Sequence, residues 1–159
     1  MTIAVIVTLG LKLFQLNFKG AYLNSDIEHE VYMRQPDGFV APGHEKLVCR
    51  LKKMLYRTKQ GAHNWYKMLS QTYNKLGYYQ SLTDHCVQVW QVGGEYTITS
   101  TYTDNVFRGS SMRDGSDRVK VELGEKWETS DVDGSMLLGV AVETDGEGNI
   151  SLSQCLYFK

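Results

Sequence analysis

Hydrophobic positions recur with period two along most of the chain and with a helical period in one long stretch. Residues 3–9 (IAVIVTL) are apolar and β-branched, a composition that favours an extended strand. Over 11–18, apolar side chains at Leu11, Leu13, Phe14, Leu16 and Phe18 predict a half-buried strand. The segment 20–24 leaves that pattern. Residues 31–40 (VYMRQPDGFV) set a Pro-Asp-Gly turn between two apolar stretches, and Ala41-Pro42-Gly43 extends the loop. Helical spacing is clearest over 62–76, where Trp65, Leu69, Tyr73 and Leu76 line one face and Gly77 supplies the stop. Strands at 87–92 and 95–103 flank Gly93-Gly94, a two-residue hairpin turn, with Tyr96, Ile98, Ser100 and Tyr102 sharing one face. A short amphipathic helix is expected over 118–126. Strands at 136–143 and 150–153 then pair across the Gly-rich acidic turn 145–149. Helices mixed with antiparallel strands, without repeat or linker, predict one α+β domain over 1–159.

Composition narrows the class of protein. With 159 residues, 42% of them apolar, the chain can bury one sizeable core. Three cysteines exclude a disulfide scaffold and fit a reducing compartment. No apolar run approaches the roughly 20 residues of a membrane helix. The segment 1–11 has neither the basic start nor the cleavage site of a signal peptide. These features predict an intracellular protein with no membrane partner.

Charge adds an asymmetry that the net value of −1 hides. Residues 1–80 hold 11 Lys and Arg against 5 Asp and Glu, and residues 81–159 hold 6 against 13. The sharpest basic stretch, 46–59, carries Lys46, Arg50, Lys52, Lys53, Arg57 and Lys59 without an acid. That is the footprint of a phosphate-rich partner, or a solvated face balanced by acids elsewhere in the fold. Charge alone leaves both readings open.

Candidate chemistry is sparse. His29, His44, His63 and His85 have no metal-finger spacing with Cys49, Cys86 and Cys155, and there is no Gly-rich phosphate loop or nucleophile motif. Tyr102-Thr103-Asp104-Asn105 stands between an apolar strand and Val106-Phe107, and alone it reads as a polar turn. Other blocks accompany it: 15–24 (QLNFKGAYLN), 31–39 (VYMRQPDGF), 47–56 (LVCRLKKMLY), Lys59-Gln60 with Trp65-Tyr66, Leu137-Leu138-Gly139-Val140 and 150–154 (ISLSQ). In this order the set resembles the reverse transcriptase of copia-type long-terminal-repeat retrotransposons, over nearly the whole chain.

The resemblance implies an RNA-directed DNA polymerase palm, an antiparallel sheet packed on helices that brings 11–18, 95–103 and 106–109 together. It places the start of the chain at the helix before the first palm strand, which makes residues 2–9 helical against their propensity. The N-terminal fingers hairpin and the thumb then fall outside the chain. In the family, nucleotide addition uses two Mg²⁺ ions about 4 Å apart, held by carboxylates that supply hard oxygens and negative charge. The first of three aspartates falls on Asn17 and the other two on Asp104 and Asn105, so only Asp104 keeps its charge. By the same resemblance Tyr22 stacks under the incoming sugar and Gln60 with Lys59 meets the nucleotide. Lys52, Lys53 and Arg57 of the basic stretch are the candidates to face nucleic-acid phosphates, with a solvated face as the alternative. The family's Ala-Pro-Arg after Gln60 is Gly61-Ala62-His63 here. The partners implied are an RNA/DNA primer–template and a deoxynucleoside triphosphate. The setting implied is cytoplasmic, within a virus-like particle, or nuclear. With two of three carboxylates replaced by amides, the expectation is a retrotransposon polyprotein fragment without polymerase activity. The alternative is a non-catalytic nucleic-acid-binding module that uses 46–59.

Overall fold

The computed structural model describes residues 2–111, 118–146 and 149–154. In chain order these form α1 (Thr2–Thr8), β1 (Lys12–Phe18), a 3-10 turn (Ala21–Asn24), β2 (Tyr32–Arg34), β3 (Val48–Arg50) and α2 (Lys59–Lys75). There follow β4 (Tyr79–Gln80), β5 (Val87–Val92), β6 (Glu95–Tyr102), β7 (Asn105–Ser110), α3 (Arg118–Gly124), β8 (Thr129–Val132), β9 (Met136–Leu137), β10 (Val140–Thr144) and β11 (Ile150–Ser153). The fold is α+β, with helices packed on antiparallel sheet. It divides into two compact units, one built from residues 1–19 and 70–159, the other from residues 20–69.

The first unit is organised by a six-stranded sheet in the order β4-β5-β6-β7-β1-β8, antiparallel throughout. The expected neighbours 11–18, 95–103 and 106–109 lie side by side in it. Two hairpins set the register. Gly93 and Gly94, at φ 63° and 86°, turn β5 into β6, and Thr103-Asp104 turns β6 into β7 with Tyr102 opposite Asn105. Thr103 stands at φ 55°. A β-branched residue meets its own backbone in that region, so the hairpin tip stores strain.

Both faces of β6 are covered. The face of Thr97 and Thr99 is the deeper one, at 1% and 0% exposure. Short side chains are needed there, because the hydroxyls of Thr99 and Thr101 lie beside the buried Tyr73 phenol near the end of α2. That helix ends as its sequence directs. Gly77 takes φ 84°, Tyr78 N–H bonds the Tyr73 carbonyl (2.9 Å) and Gly77 N–H the Asn74 carbonyl (3.1 Å). The Tyr78 ring then packs edge-on against Tyr73 at 5.2 Å, the apolar contact that completes a Schellman motif.

Composition and hydrophobic pattern alone fall short at three places. Residues 3–9 form helix rather than the strand that their β-branched composition favours, as the family resemblance implied. Ile6, fully buried against Leu11 and Ile98, anchors that helix, and tertiary packing overrides a weak propensity. The strand expected over 136–143 is two strands, because Leu138 and Gly139 at φ 50° and 82° make a tight turn that pairs Leu137 with Val140. The polar edge strand β8 had no hydrophobic alternation to reveal it. Pairing of β10 with β11 and the helix over 118–124 follow expectation.

In the second unit β2 pairs with β3, Met33 opposite Cys49, and the 3-10 turn follows β1. Ala21, Ser25, Met54, Trp65 and Leu69 are buried. Ser25 donates both its N–H (3.1 Å) and its hydroxyl (2.7 Å) to the Tyr22 carbonyl, which closes the turn that carries Tyr22.

One contact joins α1 to the six-stranded sheet with no slack. A Cβ on Gly109 of β7 would stand 2.6 Å from Ile6 Cγ1 and 2.8 Å from Cγ2. Gly109→Ala should therefore cost about 1–3 kcal/mol of unfolding free energy in urea, the usual range for overpacking. In an Ile6→Ala background, which removes both Cγ atoms, the same change should cost far less. At the hairpin tip, Thr103→Gly should raise stability by about 0.5–1 kcal/mol, the left-handed strain it relieves less the entropy glycine adds to the unfolded chain. The same urea titration reads both.

Candidate active site

The end of β1 and the tip of the β6–β7 hairpin meet in the first unit. Register places Asn17 opposite Asn105 across β1 and β7, and Ser130 of β8 on its other side. The Phe18 N–H donates to the Asp104 carbonyl at 2.7 Å, which ties the strand end to the turn. Through side chains, Asn17 Nδ2 donates to Asn105 Oδ1 (3.4 Å), and Asn105 Nδ2 donates to Asp104 Oδ1 (2.9 Å). Asn17, Asp104 and Asn105 thus form one continuous polar network, all half-buried.

Its chemistry differs from that of a carboxylate cluster. An amide offers a carbonyl oxygen but no charge, so two divalent ions would bring four positive charges to one negative group. The Asn105 oxygen already accepts from both Asn17 and Gln15, and its N–H donates to Asp104. These residues do not fit a two-ion centre. Among the described residues no three His, Cys, Asp or Glu side chains gather where they could hold a metal.

Two buried polar residues of β1 and β7 escaped the sequence reading. Gln15, 5% exposed, donates from Nε2 to Asn105 Oδ1 at 3.3 Å. Its place two residues before Asn17, on the same face of β1, was the available signal. Arg108 of β7 is 1% exposed, and its guanidinium lies 5.5 Å from the Phe14 ring centroid. Burial lowers its pKa to about 10, and the Asp131 carboxylate opposes that shift. No sequence signal marks a buried arginine in a strand that reads as core.

The remaining sequence-predicted residues lie in the second unit. Tyr22, half-buried, stacks on Tyr56 with ring centroids 4.5 Å apart and planes inclined by 20°. Lys52, Lys53, Arg57, Lys59 and Gln60 are exposed, on the loop before α2 and at its start. Arg57 holds φ 68°, a second strained left-handed residue. Lys53 faces Asp26 at 3.8 Å, Arg50 pairs with Glu30 at 2.8 Å and Lys67 with Glu28 at 3.1 Å. Lys67 also holds the Glu28 carboxyl below its ordinary pKa, chiefly through its hydrogen bond. Among the described residues no ion pair engages Lys52, Arg57 or Lys59. No helix of the described residues is long and apolar enough to cross a membrane.

Comparison with known proteins places this geometry in a family. The family model described as "Reverse transcriptase (RNA-dependent DNA polymerase)" matches residues 1–159. The chain is similar to the retrovirus-related Pol polyprotein from transposon TNT 1-94 of Nicotiana tabacum, 28% identical over 82% of this chain and 10% of that protein. To the Pol polyprotein from transposon RE2 of Arabidopsis thaliana it is 35% identical, over 58% of this chain and 6% of that protein. A putative transposon Ty5-1 protein of Saccharomyces cerevisiae is 26% identical over 84% of this chain and 44% of its own length. The chain therefore spans from less than a tenth to under half of these relatives. No solved structure matches it. With the family model matched from end to end and transposon proteins among its relatives, the chain belongs to the reverse transcriptase (RNA-dependent DNA polymerase) family, as its copia-type motifs led us to expect.

Proposed function

We propose that this chain is a reverse-transcriptase domain of a retrotransposon polyprotein that has lost polymerase chemistry and retains affinity for nucleic acid. The observation that carries the first half is the Asn17–Asn105–Asp104 network. Three positions that the family resemblance assigns to carboxylates converge here as two amides and one carboxylate, bonded to one another. Removing groups that act as a unit in catalysis costs orders of magnitude in rate, and two are replaced. The second half rests on charge. Unit 20–69 holds eight Lys and Arg against five Asp and Glu, and exposed Lys52, Arg57 and Lys59 have no carboxylate partner among the described residues.

Two measurements test these halves separately. The chain should not extend a primer in the presence of Mg²⁺, and extension would overturn the catalytic reading. Asn17→Asp with Asn105→Asp restores three carboxylates, so calorimetric titration should show tighter Mg²⁺ or Mn²⁺ binding than in the parent. Equal affinities would mean that these positions do not form the family's metal site. For binding, log affinity for a primer–template duplex should fall with log salt by about 0.9 for each phosphate contacted on B-form duplex. The Lys52→Ala, Lys53→Ala, Lys59→Ala triple variant should flatten that slope. An affinity indifferent to salt would overturn the binding half.

A further inference from the structure

We infer that the acidic segment 26–30 is an internal competitor for nucleic acid, its carboxylates holding Arg50 and Lys67 where phosphates would otherwise bind. The inference rests on the nucleic-acid reading above and adds to it a covered part of the surface and the segment that covers it. Asp26, Glu28 and Glu30 stand on alternate residues of an irregular stretch between the 3-10 turn and β2. Each meets a cation from a different element. Glu30 pairs with Arg50 of β3 at 2.8 Å, and Glu28 with Lys67 of α2 at 3.1 Å. Asp26 reaches Lys53, on the loop before α2, at 3.8 Å, the loosest of the three contacts.

The segment is tied at both ends. Asn64 of α2, itself buried, donates from Nδ2 to the Asp26 carbonyl at 3.0 Å. The Leu51 N–H donates to the Val31 carbonyl at 2.8 Å, just before β2 begins. Between these anchors Ile27 is half-buried and the three acids are exposed, so the charges stay at the surface. The Tyr32 hydroxyl donates to Glu30 Oε2 at 2.7 Å, which leaves Oε1 for Arg50. A backbone pinned in this way keeps the carboxylates beside the cations at high local concentration.

Stability does not account for the arrangement. The paired side chains of Glu28, Glu30, Arg50 and Lys67 are all more than half exposed, and such pairs contribute at most about 1 kcal/mol each. Their effect on charge is larger. The segment holds three of the five acids of unit 20–69, which set against eight Lys and Arg. The other two, Asp37 and Glu45, pair with no cation among the described residues. A carboxylate takes the same charge-assisted hydrogen bonds from guanidinium or ammonium that a phosphate takes. A polyanion that reaches Arg50 and Lys67 must therefore displace Glu30 and Glu28. The ions its phosphates release are then partly offset by ions gathered on the freed carboxylates, which blunts the salt dependence of binding. The segment weakens binding there without abolishing it.

The test is fluorescence anisotropy of a labelled primer–template duplex at about 50 and 200 mM salt, the range over which phosphate contacts are read. It compares the parent, Glu28→Gln with Glu30→Gln, and Asp37→Asn with Glu45→Gln, which removes equal charge from acids that hold no cation. The Glu28→Gln, Glu30→Gln variant should bind more tightly at the lower salt. Two freed cations add about 0.9 each to the salt slope, so its loss of affinity across this fourfold range should be about tenfold greater than the parent's. The Asp37→Asn, Glu45→Gln variant should bind as the parent does, and an equal gain in both variants would overturn the competitor in favour of bulk charge. Arg50→Ala with Lys67→Ala should cost far more affinity in the Glu28→Gln, Glu30→Gln background than in the parent, and equal costs would overturn it as well. An unchanged slope in Glu28→Gln, Glu30→Gln beside salt-dependent binding by the parent would overturn the competitor and leave the nucleic-acid reading standing. Absence of salt-dependent binding in every chain would overturn that reading itself.

Discussion

The antiparallel register of β1 on β7 is the constraint on which the first unit depends. Pairing Asn17 with Asn105 and Leu13 with Gly109 fixes at once which residues meet at the hairpin tip and where α1 can sit. Side chains alternate along a strand, so a slip of one residue would turn Leu16 and Phe18 to the wrong face and separate every polar group at the site. Three local features oppose such a slip. The Phe18 N–H is anchored on the Asp104 carbonyl, the two-residue turn leaves no spare residue, and Ile6 occupies the space that only glycine at 109 leaves open.

Around that register the structure spends little on charge and much on shape. Buried polar positions on β6 and β7 are threonine and serine, and Thr97 and Ser110 share a 3.3 Å contact between hydroxyls. Ion pairs of the second unit lie on the surface, where each contributes at most about 1 kcal/mol. Its stability comes instead from Trp65, Leu69, Met54 and Ala21, all buried, while its cations stay available to solvent. Arg108 is the exception, a cation kept inside the first unit next to an aromatic ring.

Elements with strong local signals were legible in the sequence. The α2 face, the Gly77 stop and both hairpin strands around Gly93-Gly94 follow from spacing and turn chemistry alone. Propensity misread 3–9, because only the long-range contact between Ile6 and Ile98 makes helix the better state for β-branched residues. The turn at Leu138-Gly139 was hidden inside an apolar run. At the candidate site, motif resemblance supplied Asn17, Asp104 and Asn105, but neither Gln15 nor the Tyr22–Tyr56 stack could be read from it. Strand alternation put Gln15 on the face of Asn17, but its partner Asn105 is set by tertiary geometry, which a local pattern does not carry. The segments 112–117 and 155–159, which include Cys155, lie outside the described residues.

The hydrogen bond from Asn105 to Asp104 also bears on which charges this hairpin tip can hold. In an ion-free site the amide does what a cation would otherwise do, offering a positive end to the one carboxylate left. Changing Asn105 alone to aspartate would set two carboxylates side by side with nothing between them, and like charges at that distance oppose ionisation of both. Changing Asn17 alone would turn a carboxylate toward the Asn105 oxygen that now accepts its N–H. Each amide therefore fits the one carboxylate beside it, and a second negative charge at either position would have to be balanced by a cation.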